Sequence, residues 1–197
     1  MSERSVVMYL GKINSLRQGT PSEVAALVLN GKADFSIATK PVDEHDGLVM
    51  LPCYELQRII LTPARHPLLK IKKLTLDALV RYPLITYDFA FMVRSEVTSA
   101  FERAGLTPNI ALNAIDADVI KTYVDLSLGI AIIPEIAYQR KIDNSLRGIK
   151  ANHLFAPNII YLGLRRDHYL RNYAYTFINY FAPRLTRKVV EKALRVN

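Results

Sequence analysis

The chain has 197 residues, half of them hydrophobic, with 26 lysines and arginines against 18 acidic residues and a formal charge of +8. That apolar fraction suits a buried core and excludes a disordered segment, while the length allows one domain or two small ones. The longest apolar run, around Ile130 to Ile133, falls far short of the roughly 20 residues of a spanning helix, and the first residues lack the apolar stretch of a secretory signal, so a soluble, cytoplasmic protein with no membrane partner is expected.

From Leu16 onward short apolar runs alternate with amphipathic segments, the rhythm of an α/β fold with a mostly parallel sheet flanked by helices. The first unit is TPSEVAALVLNGKADFSIAT. Thr20 suits the N-cap of a helix, Pro21 its first position and Glu23 the reciprocal capping-box position. Val24, Leu27 and Val28 supply the apolar face, and Gly31 can close the helix in the left-handed conformation. A strand follows at 35–38. Further strands are predicted at 48–51, 58–62, 84–87, 109–113, 129–133 and 159–164, and helices at 76–81, 94–104 (closed by Gly105) and 117–126. A terminal helix pair at 170–181 and 186–195 is divided by Pro183, which disfavours a helical conformation at the residue before it.

No compositional linker separates two halves. Residues 55–62 and 158–165 are extended and apolar and flank a block of about a hundred residues, so a two-lobed arrangement would pass the chain through these strands. The expected division is 1–57 with 160–197 as lobe I and 58–159 as lobe II.

Catalytic chemistry is hard to find. The four histidines, His45, His66, His153 and His168, lie in separate segments without a partner at metal-ligand spacing, and there is no nucleophile elbow, phosphate-binding loop or dinucleotide fingerprint; no metal or cofactor is expected. Asp116 and Asp118 could be read as an acid and a base, but Asp116 falls at a helix N-cap and Asp118 in its first turn, so capping is the plainer reading. Cys53 cannot form an internal disulfide and reads as a packing residue. In the aromatic tail YLRNYAYTFINYF, Leu170, Tyr173, Phe177 and Phe181 recur at helical spacing, which points to core packing rather than base stacking. The basic residues are scattered, with no recognition face for sequence-specific DNA binding by this chain alone.

What remains is a set of hydroxyls and donors where an open α/β sheet binds ligands, beyond the carboxyl ends of strands. Thr39 directly follows the strand FSIA. Thr20 and Ser22 stand at a helix start, where free backbone N–H groups favour an anion. The segment YDFAFMVRSE leads from the strand end at Tyr87 through Met92 to a helix beginning near Arg94. With Asp116 these residues form the candidate binding set.

Taken together, GTPSEVAALVLNGKADFSIAT, LVMLPCY, RYPLITYDFAF, FERAGLTPNI, DADVIKTYVDLSLGIAIIP and FAPRLTRKVV resemble the LysR-type transcriptional regulators of the CysB- and Cbl-like branch, from about Gln18 to Val190. The resemblance implies a sensory domain of two α/β lobes, like those of periplasmic binding proteins, that assembles into dimers or tetramers, with Ser22 to Leu29 as a candidate pairing segment. It implies that a small sulfur-related anion (sulfate, thiosulfate) or an O- or N-acetylserine binds in the cleft, that Thr39 contacts it, and that promoter DNA is bound only through a preceding winged helix-turn-helix. A second family threonine falls on Met92, whose thioether cannot donate a hydrogen bond to a sulfate oxygen. MSERSVVMYLGKINS does not resemble the end of the family's preceding region, so lobe I is expected to lack a strand, a helix and a threonine-rich turn. A solute-binding protein for a small oxyanion shares this architecture and is the alternative; an enzyme using Asp116, Asp118 or Tyr87 is the third.

Overall fold

The computed structural model describes residues 16–39, 46–87, 96–114, 116–166 and 168–195. They divide into two compact units, one holding the chain up to Glu55 together with everything from Ile159 onward, the other Leu56–Asn158. No described helix is long and apolar enough to cross a membrane.

The first unit begins with α1 (Pro21–Leu29), opened by the capping box read from the sequence. The Glu23 N–H donates to the Thr20 hydroxyl oxygen at 3.2 Å and a Glu23 carboxylate oxygen accepts from the Thr20 N–H at 2.7 Å. Gly31 closes the helix with φ +68° and Gly105 closes a later one with φ +66°, a conformation that costs glycine nothing.

The chain then forms β1 (Ser36–Ala38) and β2 (Leu48–Leu56), and returns much later as β8 (Asn158–Arg165), giving a sheet ordered β1-β8-β2. β2 is longer than the predicted 48–51 because it runs on through Pro52; proline, lacking an N–H, is tolerated there because β2 is an edge strand. Successive β2 residues serve opposite faces, the period of a strand. Leu48 joins Ala25 and Val28 of α1, whereas Val49 joins Leu162, Leu164 and the terminal helices α5 (Asn172–Phe181) and α6 (Arg187–Arg195). Cys53 packs against the latter cluster, and burial raises its thiol pKa, which makes it a poor nucleophile. Phe177 stacks on Phe35 at 5.1 Å and on Phe181 at 5.9 Å, so the Leu170, Tyr173, Phe177 and Phe181 face of the aromatic tail packs inward while Tyr169 and Tyr180 stay exposed. α5 starts two residues later than predicted, with Leu170 buried ahead of it, and ends at Ala182, whose φ of −134° and ψ of 81° obey the proline that follows.

The second unit carries a five-stranded sheet ordered β5-β4-β6-β3-β7: β3 (Arg58–Pro63), β4 (Leu84–Tyr87), β5 (Ile110–Ala114), β6 (Ile130–Pro134) and β7 (Leu146–Lys150). The helices α2 (Leu76–Leu79), α3 (Glu96–Arg103) and α4 (Ala117–Asp125) flank it. Ile60, Leu84, Ile130 and Ile132 meet Leu68, Phe101 and Phe155 on one face, while Ile59, Leu61, Ile85, Ala131 and Ile133 meet Ile120 and Val124 of α4 on the other. Burial on both faces explains why RIILTP and IAIIP read as continuous apolar runs rather than alternations.

The sheets are mixed, not mostly parallel. β4 is parallel to β5 and β6, but β3 is antiparallel to β6 and β7, and β1 is antiparallel to β8. The antiparallel partners include β3 and β8, the strands at the two ends of the central block; hydrophobic pattern reports burial and not strand direction, so the sequence could not separate these cases. β7 escaped prediction because Arg147, Gly148 and Lys150 interrupt its apolar pattern. It is an edge strand, where charge guards against unwanted pairing.

Candidate functional site

In the second unit β4 and β5 run parallel with Tyr87 level with Ala114, so both strands end at one edge of the sheet. α4 starts at that edge. Asp116 is its N-cap, and one carboxylate oxygen accepts from the N–H groups of Asp118 and Val119, both at 2.9 Å. The carboxylate therefore serves first to satisfy the helix terminus, as capping requires. Asp118 lies in the first turn and pairs with Lys121 at 2.8 Å; Lys121 also reaches Asp143 at 3.3 Å.

Tyr87, the last residue of β4, is half-buried. Burial pushes its phenol above the usual tyrosine range, Asp116 adds to the effect, and Arg58 and Lys121 oppose it. The hydroxyl thus stays protonated at neutral pH and is available as a donor.

Sequence reading did not single out Arg58 or Thr86. Arg58 opens β3 opposite Pro134, the last residue of β6, and it is buried, as is Thr86 beside Tyr87. A buried guanidinium at the carboxyl-end edge of β4, β5 and β6 puts positive charge where a ligand of an open sheet sits. One signal was present: Arg58 is the lone charge in RIILTP, at a position where the strand is otherwise apolar or hydroxylated.

In the first unit Thr39 follows β1 directly and is half-buried. α1 and β1 pack together, with the turn after Gly31 between them. The Thr20 hydroxyl is engaged by the cap: its oxygen accepts the Glu23 N–H at 3.2 Å, and the Thr20 N–H and then its hydroxyl hold the Glu23 carboxyl below its usual range. The structure thus groups Thr39 with Thr20 and Ser22 in one unit, and Tyr87 with Asp116 in the other. Met92 and Arg94 lie outside the described residues, as does His45. Among the described residues no group of three or more His, Cys, Asp or Glu side chains could hold a metal ion.

Known proteins agree with this architecture. The family model for the LysR substrate binding domain matches residues 15–186. The HTH-type transcriptional regulator CysB of Burkholderia cenocepacia is 46% identical over 181 residues, covering 92% of this chain and 58% of that protein. The HTH-type transcriptional regulator SsuR of the same organism is 42% identical, covering 92% of this chain and 59% of that protein. The chain therefore spans just under three fifths of the length of these regulators. The crystal structure of the cofactor-binding domain of the Cbl transcriptional regulator superposes with a TM-score of 0.87 at 34% identity, covering 99% of this chain and 87% of that one. On these grounds the chain belongs to the LysR substrate-binding domain family, with CysB, SsuR and Cbl regulators as its relatives.

Proposed function

We propose that this chain is the effector-sensing part of a LysR-type, DNA-binding transcriptional regulator of sulfur assimilation and cysteine biosynthesis, acting in the cytoplasm as a homo-oligomer and without catalysis of its own. The observation that carries this reading is the 46% identity to a CysB regulator over 92% of the chain. Promoter DNA is contacted through a separate helix-turn-helix region, for which the relatives are named.

The effector is a small sulfur-related anion, sulfate or thiosulfate, or an acylated serine. Thr39 is its principal contact in the first unit, supported by the Thr20 and Ser22 hydroxyls and the Ser22 N–H in the first turn of α1. Helix N-termini and hydroxyl donors both favour an anion. Tyr87 is the donor in the second unit, with the Arg58 charge beside it, and Arg94 belongs to the same set. By the family resemblance a threonine falls at Met92, and a thioether cannot replace its hydroxyl donor. The effector acts by binding one conformation of the sensor better than another, since a ligand can shift an equilibrium only by its differential affinity.

Thermal unfolding at constant ionic strength tests this reading. Sulfate, thiosulfate or O-acetylserine at about a hundred times its dissociation constant stabilises the folded chain by about 2.7 kcal/mol. Met92→Thr raises the affinity for the oxyanions. If none of the three ligands moves the midpoint beyond a chloride control, the assignment is wrong.

A further inference from the structure

β4 ends at Tyr87, and at its other end, before Leu84, a surface cavity of about 300 Å³ opens within the second unit. This volume lies at the lower end of the range for metabolite sites. Three prolines, Pro63, Pro67 and Pro83, wall it; they are rigid and bring no N–H donors.

The polar groups around these walls are all able to donate. Arg65 is an exposed cation, and among the described residues no carboxylate pairs with it. His66 uses Nδ1 to accept the Leu68 N–H at 3.3 Å, which leaves its proton on Nε2 as a donor. Its ring meets the Tyr82 ring edge-on at 4.5 Å, and Tyr82 brings an aromatic surface as well as a hydroxyl.

Ser127 is the unexpected member. It follows α4 with φ +59°, the one positive-φ residue other than glycine among those described. Its N–H bonds the Val124 carbonyl at 2.9 Å and the Leu128 N–H bonds that of Tyr123 at 3.1 Å, the pattern that closes a helix through a left-handed residue. Glycine is the least strained residue at that position. Serine there places a hydroxyl at the rim of the cavity, beside Gly129.

We propose that this cavity is a second small-molecule site, taking a small organic carboxylate with a flat apolar body, and that it works independently of the effector site at the other end of the sheet. Four donors without a lining carboxylate select an anion. Proline walls and the Tyr82 ring select an apolar body over a fully hydrated inorganic ion. Arg65 pairs with the carboxylate, Ser127 and His66 Nε2 donate to it, and the ligand body lies against the prolines.

Amide-resolved NMR titration of the full chain with benzoate, acetate and sulfate tests the proposal. Benzoate shifts the amides of Ser127 and Gly129 saturably, and acetate does so more weakly. Arg65→Ala weakens benzoate binding about tenfold, the loss of one charge-assisted contact. Ser127→Gly weakens it several-fold while raising thermal stability, because the variant removes strain at the helix end; this rise separates a lost ligand contact from a damaged fold. Tyr87→Phe leaves benzoate binding unchanged. The proposal is overturned if benzoate fails to shift these amides at millimolar concentration, if sulfate shifts them as strongly, or if both Arg65→Ala and Ser127→Gly bind as the unaltered chain does.

Discussion

The Tyr173 hydroxyl donates to an Asp34 carboxylate oxygen at 2.9 Å, joining residues 139 positions apart in the chain. The bond ties the start of α5 to the turn between α1 and β1, the turn that leads into the strand ending before Thr39. Burial, then the bond to Asp34 and its charge, raise the Tyr173 pKa above its ordinary value of 10.0. A raised folded-state value means that the folded chain holds this proton more tightly than the unfolded chain does. The contribution is complete below pH 10 and is lost as pH rises beyond it. Tyr173→Phe lowers stability by about 1 kcal/mol at neutral pH and flattens the alkaline decline, which denaturant titrations at neutral and alkaline pH would show.

The capping role of Thr20 and its proposed effector contact can be separated by substitution. Thr20→Ala removes the side-chain half of the capping box and costs about 1 kcal/mol, seen as a lower chemical-denaturation midpoint. Thr20→Asn keeps an N-cap acceptor and restores most of that stability, but it replaces the hydroxyl. An affinity loss that persists in Thr20→Asn assigns the hydroxyl to the effector; recovery of both stability and affinity assigns Thr20 to capping alone.

Gly129 is required by close approach. A Cβ there would stand 2.5 Å from the Pro83 carbonyl oxygen and 3.3 Å from a methylene of Ile85. The same oxygen accepts the Ile130 N–H at 2.9 Å, at the start of the β4–β6 pairing. Gly129→Ala therefore destabilises the second unit by about 1–3 kcal/mol, the usual cost of overpacking. An unchanged unfolding midpoint would contradict this account of the strand pair.

Much of this was legible in the sequence where local chemistry is self-sufficient. The α1 cap, the two glycine closures, the apolar strands of the second unit and the break before Pro183 each depend on residues within a few positions of one another. Strand direction was not legible, because RIILTP has the same pattern whether it runs with or against IAIIP. β7 was hidden by the charges of an edge strand. Of the candidate site, Thr39, Tyr87 and Asp116 could be placed at element ends, since strands and helices there have local signals. Arg58 could not, because its burial depends on residues far along the chain that pack around it.

His66 gives the second unit sensitivity to mild acid. Burial lowers its pKa below the ordinary 6.5, and protonation would also remove the Nδ1 acceptor used by the Leu68 N–H. With the folded value lowered, the unfolded chain binds the proton first, so stability is lost as pH falls through 6.5 toward the folded value. His66→Asn keeps an acceptor at the start of the turn and cannot titrate. Its thermal midpoint changes less than that of the unaltered chain between about pH 7 and about pH 5, and an identical slope in the two proteins would remove His66 as the cause.

The most direct test is a calorimetric titration of the chain and of Thr39→Ala with sulfate, thiosulfate and O-acetylserine at constant ionic strength. At least one of them binds saturably, and Thr39→Ala weakens that binding about ten- to a hundredfold, the loss of a hydrogen bond to a charged ligand at about 1.5–3 kcal/mol. Titrations in which the unaltered chain and Thr39→Ala are indistinguishable for all three ligands would contradict the effector assignment.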